Sequence, residues 1–317
     1  MKKILVIQIK QLGDSILTEP VFKALKNKWH DARTSFVVSS SYASLFENNP
    51  YIDEIIRYNF KKPFSAIAEI RRRKFDIVLD FLGNPRSRLL TLFSGASIKA
   101  GFKKKLSGVV YNVNVERSSS DEYIVDTKFR ILRACGIDDE PEIAKIYLTD
   151  KEKISFSRFS DYIAISPVSR RPARRWRQDY FARLADTLIE NYGKKVVFVW
   201  GPGEREYVDE IISMMNEKAE LSPPTTPREV AALISSCRLL ITNCNGTKHI
   251  AVACGTPTLT IHGPSHWKSW HPPDERHKVI YADVPCLFCG RRKCYDMRCM
   301  SELKPETIEK KIIEMLK

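Results

Sequence analysis

Short apolar runs rich in β-formers alternate along the chain with longer stretches in which apolar positions recur every three to four residues, a pattern that predicts strands followed by helices. Ile4-Leu5-Val6-Ile7 with Ile9 predicts a strand over 3–9, Gly13-Asp14 a turn, and Leu17, Val21, Ala24 and Leu25 a helix. Pro20 is tolerated only near a helix start, so either Thr18 caps a late helix or the first turn is irregular. The alternation repeats with strands over 36–40 and 52–57, a helix over 63–74 ending in Arg71-Arg72-Arg73-Lys74, a buried strand over 75–81, a strand over 109–115 and a helix from about Asp121 to Cys135.

Residues 136–160 are polar and contain Pro, with one apolar run over 143–148, and read as a linker. The pattern then restarts, with strands over 162–166, 196–200, 239–242 and 258–262 and helices over 178–192, 204–215 and 228–236. Two successive blocks of this kind predict two doubly wound α/β domains, 1–150 and 151–317, each with a mostly parallel sheet. Such folds bind ligands beyond the carboxyl ends of their strands.

Length agrees with two domains, and 43% hydrophobic against 28% charged residues excludes a collagen-like, low-complexity or largely disordered chain. The net charge of +14 favours an anionic partner, which leaves nucleic acid, an anionic membrane face and a phosphorylated small molecule open. No apolar run approaches the roughly 18 residues of a membrane span, and the opening run is too short for a signal peptide, so a cytoplasmic protein is expected, with peripheral membrane contact through basic surface left open. None of the eight cysteines precedes Cys135, and Cys286, Cys289, Cys294 and Cys299 crowd together as one local feature. Their spacing leaves structural metal, disulfides and free packed thiols open.

Asp14 follows the first strand, an address for a carboxylate base as well as for a helix cap. Five arginines (Arg170, Arg171, Arg174, Arg175, Arg177) follow the first strand of the second block, where guanidinium forks suit a pyrophosphate, although a solvated face reads the same way. Asn243-Cys244-Asn245-Gly246-Thr247-Lys248-His249 after a strand predicts an amide-lined anion site with Lys248 adding charge. Neither P-loop nor Gly-x-Gly-x-x-Gly spacing is present. Glu204, in the turn after residue 200, is placed to accept from ribose hydroxyls, while His262, His266, His271 and His277 lack ligand spacing and are read as local.

Taken in order, these motifs resemble glycosyltransferase family 9, the ADP-heptose:lipopolysaccharide heptosyltransferases, nearly end to end. Gly13-Asp14 with Leu17, Thr18 and Pro20 resembles the family's opening Gly-Asp motif, Asn49-Pro50-Tyr51-Ile52-Asp53-Glu54 its second stretch, and Asp80 with Gly83-Asn84, Arg86 and Ser87 also fits. Arg174-Arg175-Trp176 resembles the Lys-Arg-Trp stretch and 201–206 the Gly-Gly-x-x-Glu turn; 243–249, Gly263-Pro264-Ser265, the closing cysteines, Met300 and Pro305-Glu306 complete the set. Cys244 stands where the family has Asp, and His262 where it has an aromatic.

The resemblance implies a GT-B fold of two Rossmann-like domains facing across a cleft, the acceptor on the first and the sugar nucleotide on the second, with the last helix packing back on the first. It implies an inverting, metal-independent transfer of a heptose or related sugar from an ADP-sugar to a hydroxyl of the lipid A-core acceptor at the inner membrane face, with no nucleic-acid partner. Asp14 would be the base and Arg174 would stabilise the leaving diphosphate; Ser169, Glu204, Thr225, Cys244, Asn245, Gly246, Thr247, Lys248 and His249 would bind donor. Structural zinc at Cys286, Cys289, Cys294 and Cys299 is the one metal expected, and no cofactor is required for catalysis. The Cys244 change motivates a second expectation, a nucleotide-sugar-binding member with altered donor specificity or a degenerate site.

Overall fold

The computed structural model describes residues 1–117 and 122–317 and divides into two compact units, Met1–Tyr147 and Leu148–Lys317. In the first unit the chain runs β1 (Lys3–Gln8), α1 (Leu12–Ile16), α2 (Pro20–Lys28), β2 (Arg33–Ser39), β3 (Glu54–Tyr58), α3 (Pro63–Arg73), β4 (Ile77–Asp80), α4 (Pro85–Phe93), β5 (Ile98–Phe102), β6 (Val113–Val115) and α5 (Ile124–Ala134). The six strands are parallel in the order β3-β2-β1-β4-β5-β6. Ile4, Leu5, Val6 and Ile7 are wholly buried because helices cover both faces of such a sheet, which is why β1 reads as a continuous apolar run.

The second unit runs α6 (Asp150–Ser155), β7 (Tyr162–Ser166), α7 (Gln178–Glu190), β8 (Lys195–Phe198), α8 (Arg205–Ser213), β9 (Glu220–Leu221), α9 (Pro227–Ser236), β10 (Leu239–Asn243), α10 (Gly246–Cys254), β11 (Thr258–Ile261), β12 (His277–Ile280), α11 (Arg298–Ser301) and α12 (Pro305–Leu316). Its sheet, β12-β11-β10-β7-β8-β9, is again parallel and repeats the order of the first when counted from its own first strand. Pro63, Pro85, Pro227 and Pro305 each open a helix, where a missing amide hydrogen costs nothing. Capping boxes at Asn84/Ser87 and Thr226/Glu229 reinforce two of these starts, and one at Thr149/Glu152 fixes the start of α6. Trp176 is the largest fully buried side chain, edge-on to Phe181 and donating from Nε1 to the Leu303 carbonyl at 2.8 Å; α12 packs on α7 of the same unit.

Most expected elements form, with differences that have physical reasons. The strand expected over 109–115 is only Val113–Val115, because a 3₁₀ turn takes Ser107–Val109. The helix expected from Asp121 begins at Ile124, and Asp121 itself lies outside the described residues. Of the two readings at Pro20, the irregular one holds: α1 ends after one turn, and the Thr18 hydroxyl caps nothing but donates to the Asp14 carbonyl at 2.7 Å.

β5 requires glycine at 101. A Cβ there would lie 2.6 Å from the Tyr111 ring, whose hydroxyl donates to the buried Asp80 carboxylate at 2.7 Å. Gly101→Ala should therefore lower the unfolding free energy by about 2 kcal/mol in urea titration, the cost of overpacking a filled core; unchanged stability would show that the ring is free to move aside.

Candidate active site

Both sheets reverse their strand order beside their first strand, between β1 and β4 and between β7 and β10. That reversal opens a crevice at the carboxyl edge, and both groups of expected site residues lie on the loops that leave it.

In the first unit Asp14 sits in the first turn of α1. It caps nothing: the N-cap is Gln11, and among the described residues the Asp14 carboxylate makes no hydrogen bond. Below it lies a residue the sequence reading missed. Lys128 of α5 is buried, and its Nζ lies 2.7 Å from Thr18 Oγ1, 3.2 Å from the Asp14 carbonyl, 3.3 Å from Gln8 Oε1 and over the Phe81 ring. Burial raises the Asp14 pKa, while Lys128 and Arg117 oppose the rise. Burial also pushes the Lys128 ammonium down to about 8, with Asp14 opposing. The Asn49 side chain donates to the buried Glu19 at 2.7 Å, so Asn49 supports the fold beneath α1.

In the second unit two asparagines, Asn243 buried and Asn245 half-buried, organise the crevice. Asn243 Oδ1 accepts from the Trp176 amide at 3.1 Å and its Nδ2 donates to the Pro167 carbonyl. Asn245 caps α10 through the Lys248 amide at 3.0 Å and donates to Ser166 Oγ and the Val168 carbonyl. The five arginines part company: Arg177 pairs with Asp179, Arg175 donates to the Ser169 carbonyl at 2.7 Å and lies over Tyr207, and Arg170 is exposed.

Arg171 and Arg174 stay at the crevice. Arg174 Nη1 is 3.9 Å from Cys244 Sγ, and burial with repulsion from Arg174 and Arg292 lowers the Arg171 pKa. Lys248 is wholly buried, donates to the Trp270 carbonyl at 2.9 Å, and is pushed down to about 8 by burial with Cys244 opposing. His249 is buried edge-on to Trp270 and held neutral by burial and by Lys248. Among the described residues neither Lys248 nor Arg171 is paired with a carboxylate.

Within this geometry, a family model described as glycosyltransferase family 9 (heptosyltransferase) matches residues 64–299. The chain belongs to glycosyltransferase family 9. It is similar to lipooligosaccharide heptosyltransferase 2 of Campylobacter jejuni, 24% identical over 318 residues and 96% of each chain. It is likewise similar to lipopolysaccharide heptosyltransferase 2 of Escherichia coli, 23% identical over 88% of this chain and 87% of the relative. Its fold is that of a glycosyl transferase family 9 protein from Veillonella parvula, with TM-score 0.87 and 24% identity over 99% of this chain and 97% of that one. The E. coli ADP-heptose lipopolysaccharide heptosyltransferase II shares it too, at TM-score 0.85 and 20% identity over 100% and 98%. The two parallel sheets are thus those of a GT-B glycosyltransferase.

The remaining expected residues of this family 9 chain divide. Ser169 is buried at the crevice, Thr225 lies two residues before α9, and Gly246 and Thr247 open α10. Glu204 folds back to accept the Gly201 amide at 2.9 Å. His262, expected to act locally, lies buried within electrostatic reach of Lys248 and Arg174. His266 and His271 pack on Phe288 and Trp267, and His277 meets Thr258 Oγ1.

The zinc expectation is not supported. Among the described residues no three ligating side chains are gathered as a metal site requires, and Cys286, Cys289, Cys294 and Cys299 are free thiols, the first two exposed and the last buried.

Lys248 carries a pH signature. Its pKa is about 8 folded against an ordinary 10.5, so between those values the unfolded chain binds more protons and folding gains stability as pH rises. The stability of the wild type relative to Lys248→Met should climb from pH 7 to 10.5 in chemical denaturation. Parallel curves would mean that the ammonium is not desolvated.

Proposed function

We propose that the chain transfers a heptose or related sugar from an ADP-sugar to a hydroxyl of the lipopolysaccharide inner core, with inversion and without a metal cofactor. The observation that carries this reading is a pair of opposite imbalances in a family 9 fold: a carboxylate at the first crevice with no hydrogen-bond partner among the described residues, and a cationic group at the second in which neither Lys248 nor Arg171 is paired with a carboxylate among them. The first unit would serve the acceptor and the second the donor. The names of the relatives from C. jejuni and E. coli support the sugar and the acceptor.

In the proposed reaction Asp14 takes the proton of the acceptor hydroxyl as that oxygen bonds to the anomeric carbon. The bond from that carbon to the diphosphate oxygen breaks on the opposite face, and its electron pair leaves with ADP, which inverts the centre. Arg174, Lys248 and the amides opening α10 would hold the charge that develops on the diphosphate. The positive charge a metal would otherwise supply thus comes from side chains. Ser169, Thr225, Asn245 and His249 would complete the donor contacts, and the lone pairs of Glu204 not engaged by Gly201 would accept from the nucleoside.

The 3.9 Å approach of Arg174 to a cysteine sulfur instead of a carboxylate favours a second reading, a nucleotide-sugar site with altered specificity or none of the activity. Melting temperatures with ADP, UDP, GDP and CDP separate the two. The transfer reading expects ADP alone to raise the melting temperature, by about 5 °C at a hundredfold excess over Kd; no shift with any nucleotide would support a degenerate site, and a UDP or GDP preference would overturn the donor.

Asp14→Asn should keep the ADP shift yet slow transfer by roughly a hundredfold or more in a product assay. Near-normal turnover in that variant would remove Asp14 from the chemistry.

A further inference from the structure

The exposed apolar side chains of the molecule are unevenly placed. Of thirteen large hydrophobic residues exposed among those described, seven fall between Phe60 and Val109, including Phe64 at 79%, Leu106 at 70% and Val109 at 74%. Scattered exposed apolar residues need no explanation, but a concentration of this kind marks an interaction surface.

The pieces are contiguous. α4 buries Leu90 and Thr91 and turns Leu89, Leu92 and Phe93 outward as one stripe at i, i+3 and i+4. The loop after β5, with Leu106 at its tip, is tied to α4 and to the turn before it: Arg88 Nη1 donates to the Lys105 carbonyl at 3.0 Å and Lys104 Nζ to the Leu82 carbonyl at 3.1 Å. α3 packs beside α4, and the Arg86 guanidinium lies over the ring of Phe60, just before α3.

Charge singles out the occupant. Between Asp80 and Glu116 the sequence contains no acidic residue and six basic ones, Arg86, Arg88, Lys99, Lys103, Lys104 and Lys105, and Lys61-Lys62 adds two beside Phe64. Protruding Phe and Leu side chains among lysines match a bilayer interface carrying anionic headgroups: the apolar groups enter the acyl boundary while the cations sit at the phosphates. Nucleic acid would call for stacking aromatics in a groove, whereas most of the protruding groups here are aliphatic.

We propose that this face of the first unit, formed by the start of α3, the outer stripe of α4 and the loop after β5, docks the protein on an anionic membrane surface. The surface exists whether or not the transfer reading holds, since neither Asp14 nor the cationic crevice of the second unit belongs to it.

Sedimentation of the full chain with vesicles of phosphatidylcholine, alone or mixed with phosphatidylglycerol, tests the docking. Wild type should bind the mixed vesicles, lose that binding as salt rises, and scarcely bind phosphatidylcholine alone. Lys61→Gln, Lys62→Gln and Lys105→Gln should each weaken binding about fivefold, and Phe64→Ser with Leu106→Ser should weaken it at least tenfold. These exposed substitutions should leave the melting temperature unaltered, so a folding defect is recognised separately. Undiminished binding by the variants would overturn the proposal. So would tighter binding to a DNA or RNA oligonucleotide than to the vesicles, or a self-associated state that Phe64→Ser disperses, which would make a second copy the occupant.

Discussion

A parallel sheet that reverses its strand order leaves polar backbone facing a crevice beside its first strand, and those groups must find partners without closing the crevice. The two units solve this differently. In the first, one ammonium does it: Lys128 reaches from α5 to the Thr18 hydroxyl, the Asp14 carbonyl and the Gln8 side chain, tying the end of β1 to the broken helix that follows. In the second, Asn243 and Asn245 each bond to the loop after β7, so the two loops flanking the crevice are held to one another through side-chain amides. Groups positioned in this way by their neighbours while keeping their own reactive atoms unengaged are what a catalytic constellation requires.

The electrostatics follow from that arrangement. Burial raises the Asp14 pKa, and Lys128 with Arg117 opposes that rise in part, while the carboxylate keeps no hydrogen-bond partner among the described residues. In the second unit Arg174 and Arg292 repel Arg171, and Lys248 and Arg174 both help to keep His262 neutral. A carboxylate at 244 would neutralise part of that field. With cysteine there, Arg174 lies 3.9 Å from a sulfur and not from a carboxylate, so the departure from the family pattern leaves the cations in place.

The apolar runs of β1, β4, β7 and β10 were legible because strands covered on both faces need uninterrupted apolar residues, and the turn chemistry after them located Asp14 and the 243–249 loop. β5 and β12 were not read as strands, since Lys99, Gly101, His277 and Lys278 interrupt their pattern; β9 has only two residues. α4 escaped because Leu89, Leu92 and Phe93 face outward and blur its amphipathic period. Lys128 carried a signal that went unused: it shares a helical face with Val125, Phe129 and Leu132, all buried, and a lysine within an apolar stripe marks a buried charge with a polar partner. The division of the arginines and the state of the four cysteines depend on distant neighbours, and spacing alone does not encode those.

Those distant neighbours also explain the closing segment. A Cβ on Gly263 would meet Met300 Sδ at 2.5 Å and Cys299 Sγ at 3.0 Å, so the loop after β11 is pressed against α11 with no room for a side chain. The Phe288 and Gly290 amides donate to the Gly263 and Pro264 carbonyls, Met297 donates its amide to Cys294 Sγ, and the Trp176 indole beneath the arginine loop reaches Leu303. The residues after β12 therefore act as a buttress for two loops of the second crevice. On that view Cys299 and Met300 belong to packing, while the thiols at 286 and 289 are exposed on the same segment whose Phe288 and Gly290 amides hold the loop after β11.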